Sequence, residues 1–251
     1  MAGLTITRLR LKPSIAKHRE QNVIRVTENL RKIRDLLAQA AVDAGRDAEN
    51  VRLLAVSKKQ PQSSVIEAAA AGQRDFGENQ VVEGVEKIKS VPNDELIWHF
   101  IGHLQTNKTR AVAEHFHWVH SVDRLKTAER LSRQRPASLG DINICLQVNV
   151  DDEESKSGMP VAAVRDLAMQ VVDLPNLRLR GLMCLPAIRH DFDAQRVPFA
   201  RLSRLADQLR ANGIPADTLS MGMSDDYRAA IFEGSTMVRV GTAIFGPRAK
   251  A

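Results

Sequence analysis

The sequence predicts a single (β/α)8 TIM barrel, an α/β fold of eight parallel strands, with an extra N-terminal helix. Three observations lead to this prediction: eight short apolar segments, seven helical segments between them, and no linker or change in composition that would mark a second domain. An eightfold alternation in about 200 residues fits a closed barrel better than an open doubly wound sheet. Residues 18–251 are expected to form this one domain, and residues 1–17 stay unassigned.

The extra helix is predicted from His18 to Gly45, because apolar residues recur at helical spacing and Gly45 is a typical helix terminator. Each later strand is predicted from a short apolar run that precedes an amphipathic segment. The predicted strands are VRLLAVSK, QRDFGEN, LIWHFIGHL, HWVHSVD, DINICLQVNV, NLRLRGLMCL, ADTLSMGMS and TMVRVGTAIFG. The predicted helices between them are SSVIEAAAAG, QVVEGVEKIKSV, TNKTRAVAEHF, RLKTAERLSRQ, PVAAVRDLAMQVVDL, FDAQRVPFARLSRLADQLRANG and DDYRAAIFEGS.

The fifth predicted strand shows how each strand faces two environments. Successive side chains of a strand point to opposite faces, and in INICLQVNV (142–150) the apolar residues alternate with Asn143, Cys145, Gln147 and Asn149. We expect the apolar face to contact the helices and the other face to line the barrel.

Composition limits the possible partners. The net charge of +6 and a pI of about 9.6 suit an anionic ligand, but the basic residues are interleaved with acids and aromatic content is only 4%. These properties are poor for nucleic-acid binding and sufficient for a small anion. Two separate cysteines favour a reducing compartment, and no apolar run has membrane-spanning length. The expectation is a cytoplasmic protein without membrane or nucleic-acid partners.

Reactive groups of a TIM barrel lie at the carboxyl ends of its strands, and the first strand ends in a lysine. Period-two counting places Lys58 on the face of Leu54 and Val56, and Lys59 on the other face. The mouth of a barrel favours the amine form of lysine, which is the nucleophile for an aldehyde. The alternative is a lysine that reaches solvent or pairs with a carboxylate. We predict that Lys58 is the functional lysine.

Two glycine-containing segments, SMGMS (220–224) and VGTAIFG (240–246), form the ends of the last two predicted strand segments. Their backbone N–H groups can surround a phosphate, and this is the usual phosphate site of the fold. Ser224 is also a natural N-cap for a helix that begins at Asp225, and the glycines Gly222 and Gly241 are compatible with ordinary turns.

Arg239 is predicted to point into the barrel near its mouth, where a buried cation needs a partner. That partner is either a ring nitrogen or carboxylate of a ligand, or an acid of the barrel. The histidines His99, His103, His115, His117 and His120 raise the alternative of a metal site, but no carboxylate or cysteine completes one at a recognisable spacing.

The segments LLAVSKKQP, FGENQVVEGVEKI, WHFIGHLQTNK, VHSVDR and LSMGMSDDYRAAIFEGSTMVRVGTAIFG together resemble the pyridoxal phosphate homeostasis protein family, the YggS/PROSC type. The resemblance covers residues 23–246 and implies the fold of the N-terminal barrel of alanine racemase. It departs at Val82, where glutamine is expected, and at Cys184 and Leu185.

The resemblance implies that pyridoxal 5′-phosphate (PLP) is bound through a Schiff base with Lys58. It also implies that Ser224, Gly241 and Thr242 hold the phosphate, that Arg239 faces the pyridine nitrogen, and that Asn79 lies near the ring. An arginine at that nitrogen keeps the cofactor a weak electron sink. The residues predicted to bind the cofactor are Lys58, Asn79, Met183, Ser220, Ser224, Arg239, Gly241 and Thr242.

The function implied is that of a non-catalytic protein of intracellular PLP homeostasis, which buffers and delivers the cofactor, with apo-PLP enzymes as possible recipients and a monomeric state. One alternative is a weakly active amino-acid racemase, which needs a second base, yet the only tyrosine is Tyr227. Another is a Schiff-base aldolase with His103 or Asp123 as proton carrier. A nucleic-acid binder would show affinity that falls steeply with salt.

Overall fold

The computed structural model describes residues 13–91, 93–153 and 157–247, and within these ranges the side chains from residue 25 onward. The described residues form one closed sheet of parallel strands, in the spatial order β4-β3-β2-β1-β9-β8-β7-β5, which β4 closes by pairing with β5. The strands are β1 Arg52–Val56, β2 Asp75–Glu78, β3 Ile97–Phe100, β4 Trp118–Val122, β5 Ile142–Asn149, β6 Met159–Pro160, β7 Leu177–Cys184, β8 Thr218–Ser220 and β9 Met237–Val240.

The eight-stranded TIM barrel predicted from the sequence is confirmed, with one addition. The two-residue strand β6 pairs with the end of β5 at Asn149 and takes no part in closing the barrel. It is too short to show a periodic pattern, so it could not be predicted from the sequence.

Helices cover the outside of the barrel, and one follows each of the eight strands that close it, whereas only the first seven were predicted to be followed by a helix. The last of them, a single turn after β9, was expected as loop. The helices are α1 Pro13–Asp43, α2 Gln62–Ala70, α3 Val81–Ser90, α4 Thr109–His115, α5 Leu125–Gln134, α6 Val164–Val171, α7 Phe192–Ala211, α8 Tyr227–Phe232 and α9 Thr242–Phe245.

The extra N-terminal helix exists but begins at Pro13, five residues before the predicted start at His18. Proline is tolerated in a first helical turn, because its missing N–H has no intrahelical partner there. Leu30 and Leu37 of this helix are buried against the barrel's outer layer, and Asn29 Nδ2 donates to the carbonyl of Ile244 in α9 (2.9 Å). Residues 1–12 of the unassigned tip lie outside the described residues.

The two faces of β5 separate as predicted. Its apolar face joins the main core beneath the helices, whereas Cys145 packs inside the barrel with Trp118 and Met183. At the amino end of the barrel, Arg180 lies over the ring of Trp118 and pairs with Asp217 (3.0 Å). These side chains fill the barrel interior near its amino end, and ligands of this fold bind at the carboxyl ends of the strands.

None of the helices in the described ranges is long and apolar enough to span a membrane.

Candidate functional site

A cavity of about 490 Å³ opens at the carboxyl ends of the barrel strands. Cavities of similar volume lie at the amino end of the barrel. Arginines that line them already form ion pairs, Arg52 with Asp75 and Arg180 with Asp217. The mouth cavity is the candidate site, because it brings together seven of the eight residues predicted to bind a cofactor. These are Lys58, Asn79, Met183, Ser224, Arg239, Gly241 and Thr242.

Lys58 lines this cavity, whereas Lys59 is exposed and is held in the left-handed backbone region (φ 59°). Two contacts fix the preceding residue, Ser57, which is fully buried. Its N–H donates to the carbonyl of Gly77 (3.0 Å), and its hydroxyl donates to Glu78 Oε1 (2.6 Å). The end of β1 is therefore rigid, and it directs one lysine of the pair into the cavity.

A buried ion pair supports the same turn from below, and sequence analysis missed it. Lys87 Nζ on α3 donates to Glu78 Oε1 (2.8 Å), to Glu83 Oε1 (2.7 Å) and to the carbonyl of Ser57 (2.6 Å). Glu83 in turn accepts from the backbone N–H of Lys59 (2.5 Å). Burial raises the pKa of Glu78, while the charge and hydrogen bond of Lys87 act in the opposite direction. Sequence analysis assigned the segment QVVEGVEKIKSV to a helix and gave Lys87 no role.

Asn79 contributes an amide to the cavity wall. Its Oδ1 is buried and accepts no hydrogen bond from any described residue, which is an uncommon and costly state for a native protein. Gly102 allows this arrangement, because any Cβ at that position would overlap the backbone of Asn79. The amide oxygen is therefore placed to accept a hydrogen bond from a ligand.

Arg239 lies at the base of the cavity and is 4% exposed. Its Nη1 donates to the carbonyl (2.5 Å) and hydroxyl (2.7 Å) of Ser220, and its Nη2 donates to the carbonyl of Cys184 (2.9 Å). Within the described ranges it forms no ion pair with a carboxylate, and burial lowers its pKa. The barrel acid proposed as one possible partner is thus not present among these residues.

Ser220 is the predicted residue that does not line the cavity. It is fully buried beneath Arg239, and its hydroxyl also lies 2.8 Å from His120 Nδ1. It was predicted from its position at the end of the seventh predicted strand, which gives no measure of the depth of a side chain. Its contact with the cavity is made through Arg239.

Another part of the cavity wall comes from the segments after β8 and β9. Ser224 does not cap α8, which begins at Tyr227 with Asp226 as its N-cap residue. The Met223 N–H donates to Asp226 Oδ1 (2.6 Å), so the turn is closed without Ser224. Ser224 is exposed and lines the cavity together with Gly241 and Thr242.

Several lining residues were not predicted as ligand contacts. Ile101, Leu185 and Met223 add an apolar surface, and Asp225 adds a negative charge beside Ser224. They come from loops beyond the strands, where hydrophobic periodicity gives no signal.

The residues invoked for alternative functions are dispersed. His103 lines the cavity, but Asp123 lies at a separate depression with Arg124, and Tyr227 packs partly buried against the core. In the described part of the chain, no three or more His, Cys, Asp or Glu residues are grouped as a metal site would require. Of the residues considered for a Schiff-base aldolase, Lys58 and the proton carrier His103 line the cavity, and Asp123 does not.

Comparison with known proteins agrees with this geometry. The family model described as "Alanine racemase, N-terminal domain" matches residues 22–249. A Pseudomonas aeruginosa protein named pyridoxal phosphate homeostasis protein is 55% identical over 223 residues, which cover 89% of this chain and 96% of that protein. The Escherichia coli K12 protein of the same name is 50% identical over 226 residues, covering 89% and 97%.

Among solved structures, PipY of Synechococcus elongatus with PLP bound superposes with a TM-score of 0.75 at 36% identity. The match covers 88% of this chain and all of PipY. Together with the matches in sequence, it confirms the family resemblance. This chain belongs to the alanine racemase N-terminal domain family and, within it, to the pyridoxal phosphate homeostasis proteins.

Proposed function

We propose that this chain is a non-catalytic carrier that binds PLP in the mouth cavity, and that it serves intracellular PLP homeostasis by buffering and delivering the cofactor. The observation that carries the proposal is the convergence of the Lys58 amine, the anchored guanidinium of Arg239 and the unsatisfied amide of Asn79 in one cavity. The names of the relatives and the PLP bound to PipY support it.

The residues present fit this cofactor. When bound, PLP supplies an aldehyde that condenses with an amine, a pyridine ring and a phosphate. Lys58 would hold the aldehyde end, and Arg239 would face the ring nitrogen. Asn79 and Met183 would contact the ring, while Ser224, Gly241 and Thr242 would hold the phosphate through hydroxyl and backbone donors.

The same residues disfavour catalysis. A guanidinium offers only hydrogen-bond donors and keeps its proton, so Arg239 would hold the ring nitrogen without protonating it and would limit electron withdrawal. Racemisation also needs two bases on opposite sides of the substrate carbon. Tyr227, the one tyrosine of the chain, packs against the core away from the cavity.

The proposal is tested by loading the wild-type protein with PLP, reducing it with borohydride and mapping the labelled peptide. We expect the label on Lys58. We also expect that the loaded protein, incubated with L-alanine in D2O, exchanges the α-proton no faster than free PLP does. A label scattered over several lysines would reject the site, and rapid exchange would reject the non-catalytic role in favour of a racemase.

We further propose that the protein acts as a cytoplasmic monomer and transfers PLP to apo-PLP enzymes. The fully buried thiols Cys145 and Cys184, whose pKa values burial raises to about 12, are compatible with a reducing compartment. Loaded protein mixed with an apo-aminotransferase should restore activity faster than free PLP at equal concentration, and sedimentation should give the mass of one chain. Equal rates would reject direct transfer, and a dimer mass would reject the monomer.

A further inference from the structure

A chain of hydrogen-bonding side chains runs through the barrel interior from its amino end to the cavity. Asp75 Oδ1 lies 2.9 Å from His99 Nε2, and His99 Nδ1 lies 2.9 Å from His120 Nε2. His120 Nδ1 then lies 2.8 Å from Ser220 Oγ, which accepts from Arg239 Nη1 at 2.7 Å. His99, His120 and Ser220 are all fully buried. The chain therefore joins a carboxylate at the start of β2 to the guanidinium beneath the cavity.

The direction of each hydrogen bond follows from the donors available. An ionised carboxylate only accepts, so His99 Nε2–H donates to Asp75 and leaves His99 Nδ1 as an acceptor in the neutral ring. His120 must then donate from Nε2, and its Nδ1 accepts the hydroxyl proton of Ser220. The Ser220 oxygen is left with its lone pairs for Arg239. Both histidines are therefore Nε2–H tautomers.

The surroundings favour neutral rings, as this arrangement requires. Burial lowers the pKa of His99, and burial together with His99 and Arg239 lowers that of His120 well below its ordinary value. His99 also stacks on Trp118, with ring centroids 5.4 Å apart, which restricts rotation of its imidazole. The hydrogen bonds thus form one ordered set rather than a mixture of orientations.

We propose that Asp75, His99, His120 and Ser220 are positioning residues, which fix the orientation of Arg239 and so determine which N–H groups it presents to a ring nitrogen in the cavity. For the ligand, this inference rests on the proposed function. Arg239 has three acceptors among the described residues, namely the Ser220 carbonyl, the Ser220 hydroxyl and the Cys184 carbonyl. Of these three acceptors, the Ser220 hydroxyl is the one whose orientation is set by its hydrogen bond to His120.

The first test needs no ligand and no variant. Long-range ¹H–¹⁵N spectra of the ¹⁵N-labelled, unliganded protein at neutral pH should show His99 and His120 protonated at Nε2 and unprotonated at Nδ1. A proton on Nδ1 of either ring would reverse the order of donors and overturn the proposal, whether or not the protein binds PLP.

The second test uses Ser220→Ala, with Ser121→Ala as the matched control. Ser121 is the neighbour of His120 on β4, and its buried hydroxyl has no hydrogen-bond partner among the described residues. Ser220→Ala should weaken PLP binding about 5- to 10-fold and shift the absorption maximum of the bound cofactor, while Lys58 is still labelled at saturating PLP. Ser121→Ala should change neither property.

An unchanged affinity and spectrum in Ser220→Ala would overturn the positioning role. A failure of Lys58 labelling in the wild-type protein would instead reject the proposed function. The tautomer measurement would still decide whether the hydrogen bonds from Asp75 to Ser220 have the proposed direction. The two failures are therefore distinguishable.

Discussion

Lys58→Ala is expected to reduce the borohydride-stable PLP label from stoichiometric to background. The side chain of Lys58 lines the cavity at the end of β1, and the expected label depends on its amine. Residual binding through Arg239 and the phosphate-facing groups would be reversible, so it should be lost on gel filtration. The measurement is the mass of the intact protein after loading, reduction and desalting.

Lys59→Ala is the matched control for this variant. Lys59 is exposed, and alanine adopts its left-handed backbone conformation as readily as lysine does. The interaction of Lys59 with Glu83 uses the backbone N–H, which the substitution retains. The labelled fraction should therefore match the wild type. If Lys59→Ala lost the label and Lys58→Ala kept it, the assignment of the functional lysine would be wrong.

Lys87→Met is expected to lower the free energy of unfolding by about 3–5 kcal/mol, because it leaves Glu78 buried without its cation. The side chain of Glu78 is fully buried and that of Lys87 is 5% exposed, so solvent cannot replace the lost partner. The same substitution removes the donor to the Ser57 carbonyl, so PLP binding at Lys58 should also weaken. Urea unfolding and PLP titration measure the two effects.

The loss of stability caused by Lys87→Met should depend on pH. Burial already raises the pKa of Glu78 above its ordinary value of 4.5, and removal of the lysine charge should raise it further. A carboxyl group with a raised folded-state pKa stabilises the protein below its unfolded pKa and loses that contribution as pH rises through the folded pKa. The deficit of Lys87→Met should therefore be largest at neutral pH and shrink as pH falls towards 4.5.

Lys89→Met serves as the control for Lys87→Met, because Lys89 lies on the same helix and is exposed. Its loss should change the free energy of unfolding by no more than about 0.5 kcal/mol. The double variant Lys87→Met/Glu78→Leu should recover much of the stability, since the uncompensated charge is gone. A Lys87→Met protein as stable as the Lys89→Met protein would show that the buried pair contributes nothing.

Much of the cavity could be predicted from the sequence, because parallel strands of a barrel end at the same face. Once the alternation of strands and helices was read, Lys58, Asn79, Arg239 and Gly241 had to lie near one another, although they are spread along the chain. Period-two counting then separated Lys58 from Lys59, since successive residues of a strand face opposite ways. The family resemblance added the cofactor and the individual roles.

The sequence by itself determined the barrel, its extra helix and the set of side chains at its mouth, because these follow from local periodicity and a fixed strand direction. Only the tertiary structure decided which polar groups are buried together. Lys87 reaches the carbonyl of Ser57, and His120 meets Ser220 across 100 residues of chain. Such contacts depend on closure of the barrel and on the depth of each side chain, and neither is encoded in the spacing of residues along one strand or helix.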